Sequence, residues 1–197
     1  MAKRYYVDRV INGKRVPIKP SGRRFFGKTT LRLVRSWART LRVKIIVSEA
    51  FTPRQRIIAW CRWALNHESG IHYQQSRPIP LQRGKNHQLP LFTDCSGSTT
   101  IAYYAAGLPD PNGRKYDGSG YTGTLRAHLA KKPLAEVKPG DLIVYGGGTG
   151  SHVVIVYKAG ADPIVFSHGQ ESGPRLYPHS VEAGAHNNVF TCHDAGC

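Results

Sequence analysis

The chain has 197 residues, 40% hydrophobic and 20% charged, which fits one sizeable core and excludes a chain too polar to fold. Its net charge of +16 is uneven: residues 1–47 carry 14 Lys and Arg against the single acid Asp8, a net +13, while the remainder is near neutral at +3. No run approaches the roughly 18 apolar residues of a membrane span, and Met-Ala-Lys-Arg-Tyr-Tyr lacks the apolar stretch of a secretory signal. The protein is therefore expected to be made in a cytoplasm and to reach any outside target by another route.

The charge break divides the chain into a basic N-terminal extension, 1–47, and a body, 48–197. Such an extension implies an anionic partner: nucleic acid, wall polymer or membrane surface. Within it, Tyr5-Tyr6-Val7 and Val16-Pro17-Ile18 flank Asn12-Gly13, the signature of a hairpin over 5–19. Residues 20–27 read as a loop. Over 30–42, Leu31, Val34, Trp37 and Leu41 share one helical face, with Arg32, Arg35, Arg39 and Arg42 mostly elsewhere. Gly22 to Thr29 matches the GxxxxGKT phosphate-loop spacing, but Pro17 and Pro20 precede it where a buried strand should lie, and Phe25 and Phe26 crowd the loop. It reads as a chance match. No base-reading nucleic-acid module is recognisable, so sequence-specific nucleic-acid binding is not expected.

In the body, Thr52-Pro53-Arg54-Gln55 opens a helix with a capping box and proline in the first turn. Ile57, Ile58, Cys61, Ala64 and Leu65 supply its apolar stripe, and Gly70 ends it. Residues 71–92 read as a loop. Thr93-Asp94-Cys95-Ser96-Gly97 then opens a second helix that runs to Gly107, with Asp94 or Thr93 as cap. A thiol in that first turn feels the positive end of the helix dipole, which favours the nucleophilic thiolate. The alternative is a small buried core cysteine. After turn-rich residues 108–123 and a short helix around Thr124–Ala130, the pattern changes to strands: Leu142–Tyr145, His152–Tyr157 and Ile164–His168, joined by short turns as an antiparallel meander. Helices before a sheet define an α+β class.

The residues from about 175 onward are weakly patterned. His179, His186, Cys192, His193 and Cys197 match no compact zinc spacing, so no metal or other cofactor is expected. The four cysteines show no disulfide framework. The tail is expected to be disordered or closed by a Cys192–Cys197 pairing.

A thiol nucleophile needs an imidazole base, and the base needs an orienting partner. His152 opens one predicted strand and His168 ends the next, so antiparallel pairing brings both to one edge of the sheet. His72 is a weaker candidate.

Asp94-Cys95-Ser96-Gly97, Pro139-Gly140-Asp141-Leu142, His152-Val153 and His168, in this order, resemble the NlpC family of cell-wall cysteine peptidases over about residues 53–170. The loops Asp110-Pro111-Asn112-Gly113 and Gly120-Tyr121-Thr122-Gly123-Thr124 are similar to versions found in phages of actinobacteria. The resemblance implies a papain-like fold and hydrolysis of amide bonds in peptidoglycan stem peptides, by a phage lysin or virion-associated wall enzyme. It implies Cys95 as nucleophile, His152 as base and His168 holding the His152 ring. The oxyanion and substrate side would be formed at the Asp94, Cys95 and Ser96 helix start with Tyr73, although the glycine pair that usually follows the family tyrosine is replaced by Gln74-Gln75-Ser76, and the glycine after His-Val by Val154. The basic segment would hold the enzyme to an anionic wall. The alternative is an inactive binding or structural protein of the same fold, acting through its basic segment.

Overall fold

The computed structural model describes residues 5–11, 14–17, 28–40, 45–49 and 51–196. The chain forms two compact units, residues 1–51 and 52–197.

In the first unit, strands β1 (Tyr5–Ile11) and β2 (Lys14–Pro17) pair antiparallel, with Arg9 opposite Val16. Helix α1 (Lys28–Thr40) follows. Strand β3 (Ile45–Glu49), unassigned from the sequence, pairs with the other edge of β1 and places Val47 opposite Val7. Val7 and Ala38 are buried, whereas Arg32, Arg35 and Arg39 stand exposed. The Asn12-Gly13 turn, Ile18, Leu41 and most of the GxxxxGKT match lie outside the described residues.

The second unit begins with α2 (Pro53–Leu65), and its start is chemically determined. The Thr52 hydroxyl accepts the Gln55 N–H at 3.2 Å, and the Gln55 side chain accepts the Thr52 N–H at 2.8 Å. Each satisfies a donor that the helix itself leaves free. Ile57, Trp60, Cys61 and Ala64 form the buried face. The stretch read as a loop over 71–92 contains β4 (Ile71–Tyr73), the short helix α3 (Leu81–Lys85) and β5 (Leu91–Thr93). β4 and β5 pair in parallel, so Tyr73 lies beside Thr93. Strands of three residues are too short to show a periodic signal.

Helix α4 (Cys95–Ala106) runs through the core and stops at Gly107, which takes the left-handed conformation at φ 69°. Helix α5 (Thr122–His128) and strand β6 (Lys131–Lys132) precede β7 (Leu142–Tyr145), β8 (His152–Lys158) and β9 (Ile164–Ser167), which form the expected meander. The tail is ordered, contrary to expectation: β10 (Arg175–Pro178), α6 (His179–Ala185) and β11 (Phe190–His193) complete a six-stranded sheet in the order β10-β9-β8-β7-β11-β6. Cys192 is a buried free thiol on β11, because its strand is held by main-chain pairing to both β7 and β6; Cys197 lies outside the described residues.

Alternation along the strands separates two cores. Leu142, Val144, Val153, Ile155 and Phe166 pack with α2 and α4 residues. Ile143, Tyr145, Val154, Val156 and Val165 pack on the opposite face with Ala183 of α6 and Cys192. The Pro139-Gly140-Asp141 turn, with Gly140 at φ 94°, delivers Asp141 to full burial. Its carboxylate accepts from Arg54 at 2.6 Å, Lys132 at 2.8 Å and the backbone N–H groups of Lys138 and Ala195 at 2.9 Å each. Asp194 caps the same two cations.

Removing one member of a buried charge cluster strands the others. Asp141→Ala is therefore expected to destabilise the fold by about 3 kcal/mol, read as a lowered urea midpoint with unchanged slope; an unchanged midpoint refutes the structural role of this carboxylate.

Candidate active site

Asp94 is the N-cap of α4. Its Oδ1 accepts the Gly97 N–H at 2.6 Å and the Ser96 hydroxyl at 2.9 Å, and its Oδ2 lies 3.0 Å from Arg77 Nη1. A Cβ at Gly97 would collide with the Thr93 hydroxyl and press on Asp94, which explains glycine there. Arg77 also donates through Nη2 to Ser96 Oγ at 2.9 Å and through Nε to the Gly120 carbonyl at 2.8 Å. Sequence reasoning missed Arg77, since nothing local distinguishes it from other loop arginines.

Cys95 in the first turn lines a cleft of about 480 Å³, whose walls include Gln75, Arg77, Ser119, Tyr121, Thr122 and Ser151. The sulfur receives hydrogen bonds from the backbone N–H groups of Val153 and Ser96 and from the Thr122 side chain. Thr122 lies in one of the loops singled out by sequence. That loop is tied by Thr124, whose hydroxyl donates to Asn112 Oδ1 at 2.7 Å, while Asn112 Nδ2 donates to Thr100 at 3.0 Å.

Burial pushes the Cys95 thiol up to about 11, with the Asp94 carboxylate adding to the effect and the three hydrogen bonds opposing it. The free protein thus holds a neutral thiol, not the thiolate anticipated from the helix terminus: desolvation outweighs the dipole.

The imidazoles lie at one end of the sheet on opposite faces. His152 alternates with Val154 and Val156, pairs with Tyr145 across β7 and faces away from α4. Its Nε2 lies 3.0 Å from Ser167 Oγ and 3.9 Å from Glu182 Oε2, and its ring stacks on Tyr145 and His186 with centroids 6.2 and 5.6 Å away. His168 follows β9 on the α4 side, where its Nδ1 lies 2.9 Å from Ser98 Oγ, and its Nε2 is buried without a partner. Among the described residues, no hydrogen bond joins His152 to His168, or either ring to the Cys95 sulfur. The sulfur instead meets the peptide N–H between His152 and Val153.

Tyr73, half-buried, sets its ring edge-on to His168 at 6.1 Å and accepts from Gln75 at 3.0 Å. Asp94, Cys95, Ser96, Tyr73 and His168 therefore gather around the α4 start, with the His152 backbone beside them. His72 lies tilted against Phe92, with ring centroids 5.1 Å apart. Of the tail histidines, His179 bonds the Tyr145 hydroxyl at 2.9 Å, His186 bonds Ser151 at 3.0 Å and His193 bonds the Leu129 carbonyl at 3.1 Å. Among the described residues, no group of three or more His, Cys, Asp or Glu side chains is arranged to hold a metal ion, and no helix is long and apolar enough to cross a membrane.

No protein-family model matches the chain, and no curated protein matches it. Among solved structures it is similar to a mutated form of the resuscitation promoting factor interacting protein RipA, at 16% identity and a TM-score of 0.43. A hypothetical invasion protein of Mycobacterium tuberculosis is similar at 17% identity and 0.43. Each match covers 66% of this chain and 61% of the other, under two thirds of its length. The peptidoglycan hydrolase RipB from Mycobacterium tuberculosis is similar at 23% identity and 0.40, over 77% of this chain and 75% of that one.

His152 and His168 are each held down to about 4, chiefly by burial, against an ordinary value of about 6.5. Between these values the unfolded chain binds protons that the folded chain does not. Stability is thus undiminished by these groups above about 6.5 and falls as pH drops toward 4. The thermal midpoint is expected to decline over that window; a flat profile contradicts neutral buried rings.

Proposed function

We propose that the chain is a cysteine peptidase that cleaves amide bonds in the stem peptides of peptidoglycan, as a phage lysin or a virion-associated wall enzyme. The observation that carries this reading is Cys95 itself. It sits on the first turn of α4 in the wall of a polar cleft, with three hydrogen-bond donors at the sulfur and the His152 main chain alongside. The motif order shared with NlpC-type peptidases supplies the substrate class, and it supports a papain-like arrangement for residues 48–197, with 1–47 as a separate basic extension.

In this mechanism the neutral Cys95 thiol attacks the substrate carbonyl as its proton passes to His152, the base that the motif order assigns, whose ring has to turn from the far face of the sheet to meet the sulfur. The resulting imidazolium then protonates the leaving amine, and water hydrolyses the thioester. Donors at the α4 start stabilise the developing oxyanion, with Tyr73 on the same side. Asp94 and Ser96 hold that start in place. His168 faces α4 with a buried, unpartnered Nε2, which favours a second assignment, in which His168 rather than His152 serves the sulfur.

Purified protein incubated with actinobacterial peptidoglycan is expected to release new amine ends, identified by mass spectrometry. Cys95→Ala should abolish the release, and retained activity would sink the nucleophile assignment. His152→Ala and His168→Ala distinguish the two bases, the true one costing roughly 100-fold or more in kcat. Because the base must be neutral to accept a proton, kcat/KM should hold down to about pH 4 and fall below it; an acid limb near 6.5 contradicts a desolvated base.

The exposed Arg32, Arg35 and Arg39 of α1 support an anionic wall polymer as partner of the basic unit. Retention of the full chain on purified anionic wall polymer should fall steeply with salt and with these arginines replaced by Gln. Equal retention by the Gln variant refutes this docking role, and stronger salt-sensitive retention on DNA favours the nucleic-acid alternative.

A further inference from the structure

Three segments bring a hydrogen-bond donor to the Cys95 sulfur: α4 through the Ser96 N–H, β8 through the Val153 N–H and α5 through the Thr122 side chain. The first two donors are main chain. Thr122 is the side-chain donor; it is buried, and it lines the same cleft as Cys95. Its surroundings fix its rotation. The methyl group faces Gly150, where a Cβ would come within 2.8 Å of Thr122 Cγ2, and this leaves the hydroxyl for the sulfur. The backbone beside it is tied as well. The Thr124 hydroxyl accepts the Tyr121 N–H at 2.9 Å, and the Gly120 carbonyl accepts from Arg77 Nε at 2.8 Å. A Cβ at Gly123 would press on the Tyr121 ring and on Thr149. The donor is thus in place before any substrate arrives, so aiming it costs nothing during the reaction.

We infer that Thr122 is a catalytic residue, whose hydroxyl donates to the Cys95 sulfur whenever that atom carries negative charge. This rests on the reading of Cys95 as the nucleophile, and it is indifferent to which imidazole serves as base. A neutral thiol is a weak hydrogen-bond acceptor, whereas hydrogen bonds to an ionised acceptor are about twice as strong as neutral ones. The contact therefore tightens as the proton leaves. An interaction that is stronger in the charged state than in the resting state lowers a barrier instead of merely binding the ground state.

Thr122 keeps its own hydrogen throughout. In the first step the thiol proton passes to the imidazole base, the sulfur electron pair bonds to the carbonyl carbon, and the carbonyl pair moves to oxygen. Collapse expels the amine, which takes that proton from the base. In the second step water adds to the thioester carbonyl as the base takes one of its protons. The carbon–sulfur bond then breaks, its electron pair stays on Sγ, and the base returns the proton to sulfur. The sulfur is anionic early in the first step and late in the second, and Thr122 serves it at both points. The charged group acting on the thiol is Asp94, which opposes ionisation, and Tyr73 of β4 is the titratable group that senses the charge on the sulfur. The Arg77 guanidinium is held by Asp94 at 3.0 Å. Uncharged donors thus carry the sulfur's charge, and Thr122 is the one that a substitution can remove.

The test reads the thiol itself in the full chain, by iodoacetamide alkylation at fixed mildly alkaline pH. Mass spectrometry of the Cys95 peptide separates it from the other cysteines. Thr122→Val keeps the shape of the side chain and removes the hydroxyl. Loss of one donor to an anion is on the scale of one unit in the thiol's affinity for a proton, which leaves about tenfold less thiolate that is about threefold more nucleophilic. Alkylation should therefore slow about threefold, and kcat/KM on peptidoglycan should fall about tenfold. Thr122→Ser keeps the hydroxyl and should recover most of both rates. If Thr122→Val does not fold, Thr122→Ala against Thr122→Ser supplies the same contrast. An unchanged rate of either reaction in Thr122→Val overturns the inference. So does equal slowing in Thr122→Ser, which traces the effect to packing against Gly150. Failure of the enzyme reading is separately visible: hydrolysis retained by Cys95→Ala removes the nucleophile and leaves the alkylation contrast standing, whereas Cys95-dependent hydrolysis that Thr122→Val does not slow removes only the role of Thr122.

Discussion

The buried Asp94 carboxylate fixes where the sulfur sits. Its two oxygens take the Gly97 N–H, the Ser96 hydroxyl and the Arg77 guanidinium, so the first turn of α4, the segment after β4 and the Gly120 loop are joined at one point. A buried anion is tolerated only when its lone pairs are matched by donors, and here the donors come from the segments that wall the cleft. The same carboxylate raises the proton affinity of the neighbouring thiol, so the anchoring of the helix and the resting state of its cysteine are one electrostatic arrangement.

That arrangement has a chemical consequence. A preformed thiolate–imidazolium pair requires the thiol to ionise more readily than the imidazolium, but burial moves both groups the other way, the thiol to about 11 and the rings to about 4. Both groups rest uncharged, and in the proposed mechanism charge would separate only as the carbonyl is attacked. Hydrogen-bond donors already directed at the sulfur would then strengthen as negative charge develops there.

Much of this was legible in the sequence where the chemistry is local. Thr52 with Gln55 and Asp94 with Gly97 are caps whose partners lie three residues away, and the apolar runs 142–145, 152–158 and 164–167 form strands close to their expected bounds. What escaped depends on distant partners. Arg77 meets Ser96 and Gly120 only after folding, and β10 and β11 take their strand character from β9 and β7 rather than from their own mixed composition. The two histidines show a subtler limit. Alternation puts His152 with Val154 and Val156, but no local pattern tells which face of the strand meets α4. Their shared edge of the sheet could be anticipated; their separation by the sheet's thickness could not.

The placement of β11 between β7 and β6 gives the sheet an unusual order of assembly. Its residues 190–193 follow β6 by more than fifty positions, and Asp194 beyond them completes the ion cluster around Asp141. A ribosome delivers the cysteine-bearing helix long before it delivers this strand. Until then the edge of β7 that β11 covers is unpaired and Lys132 lacks one of its two carboxylates, so the sheet and its ion cluster are incomplete. Completion of the sheet is thereby tied to the late arrival of a strand that lies between two made earlier.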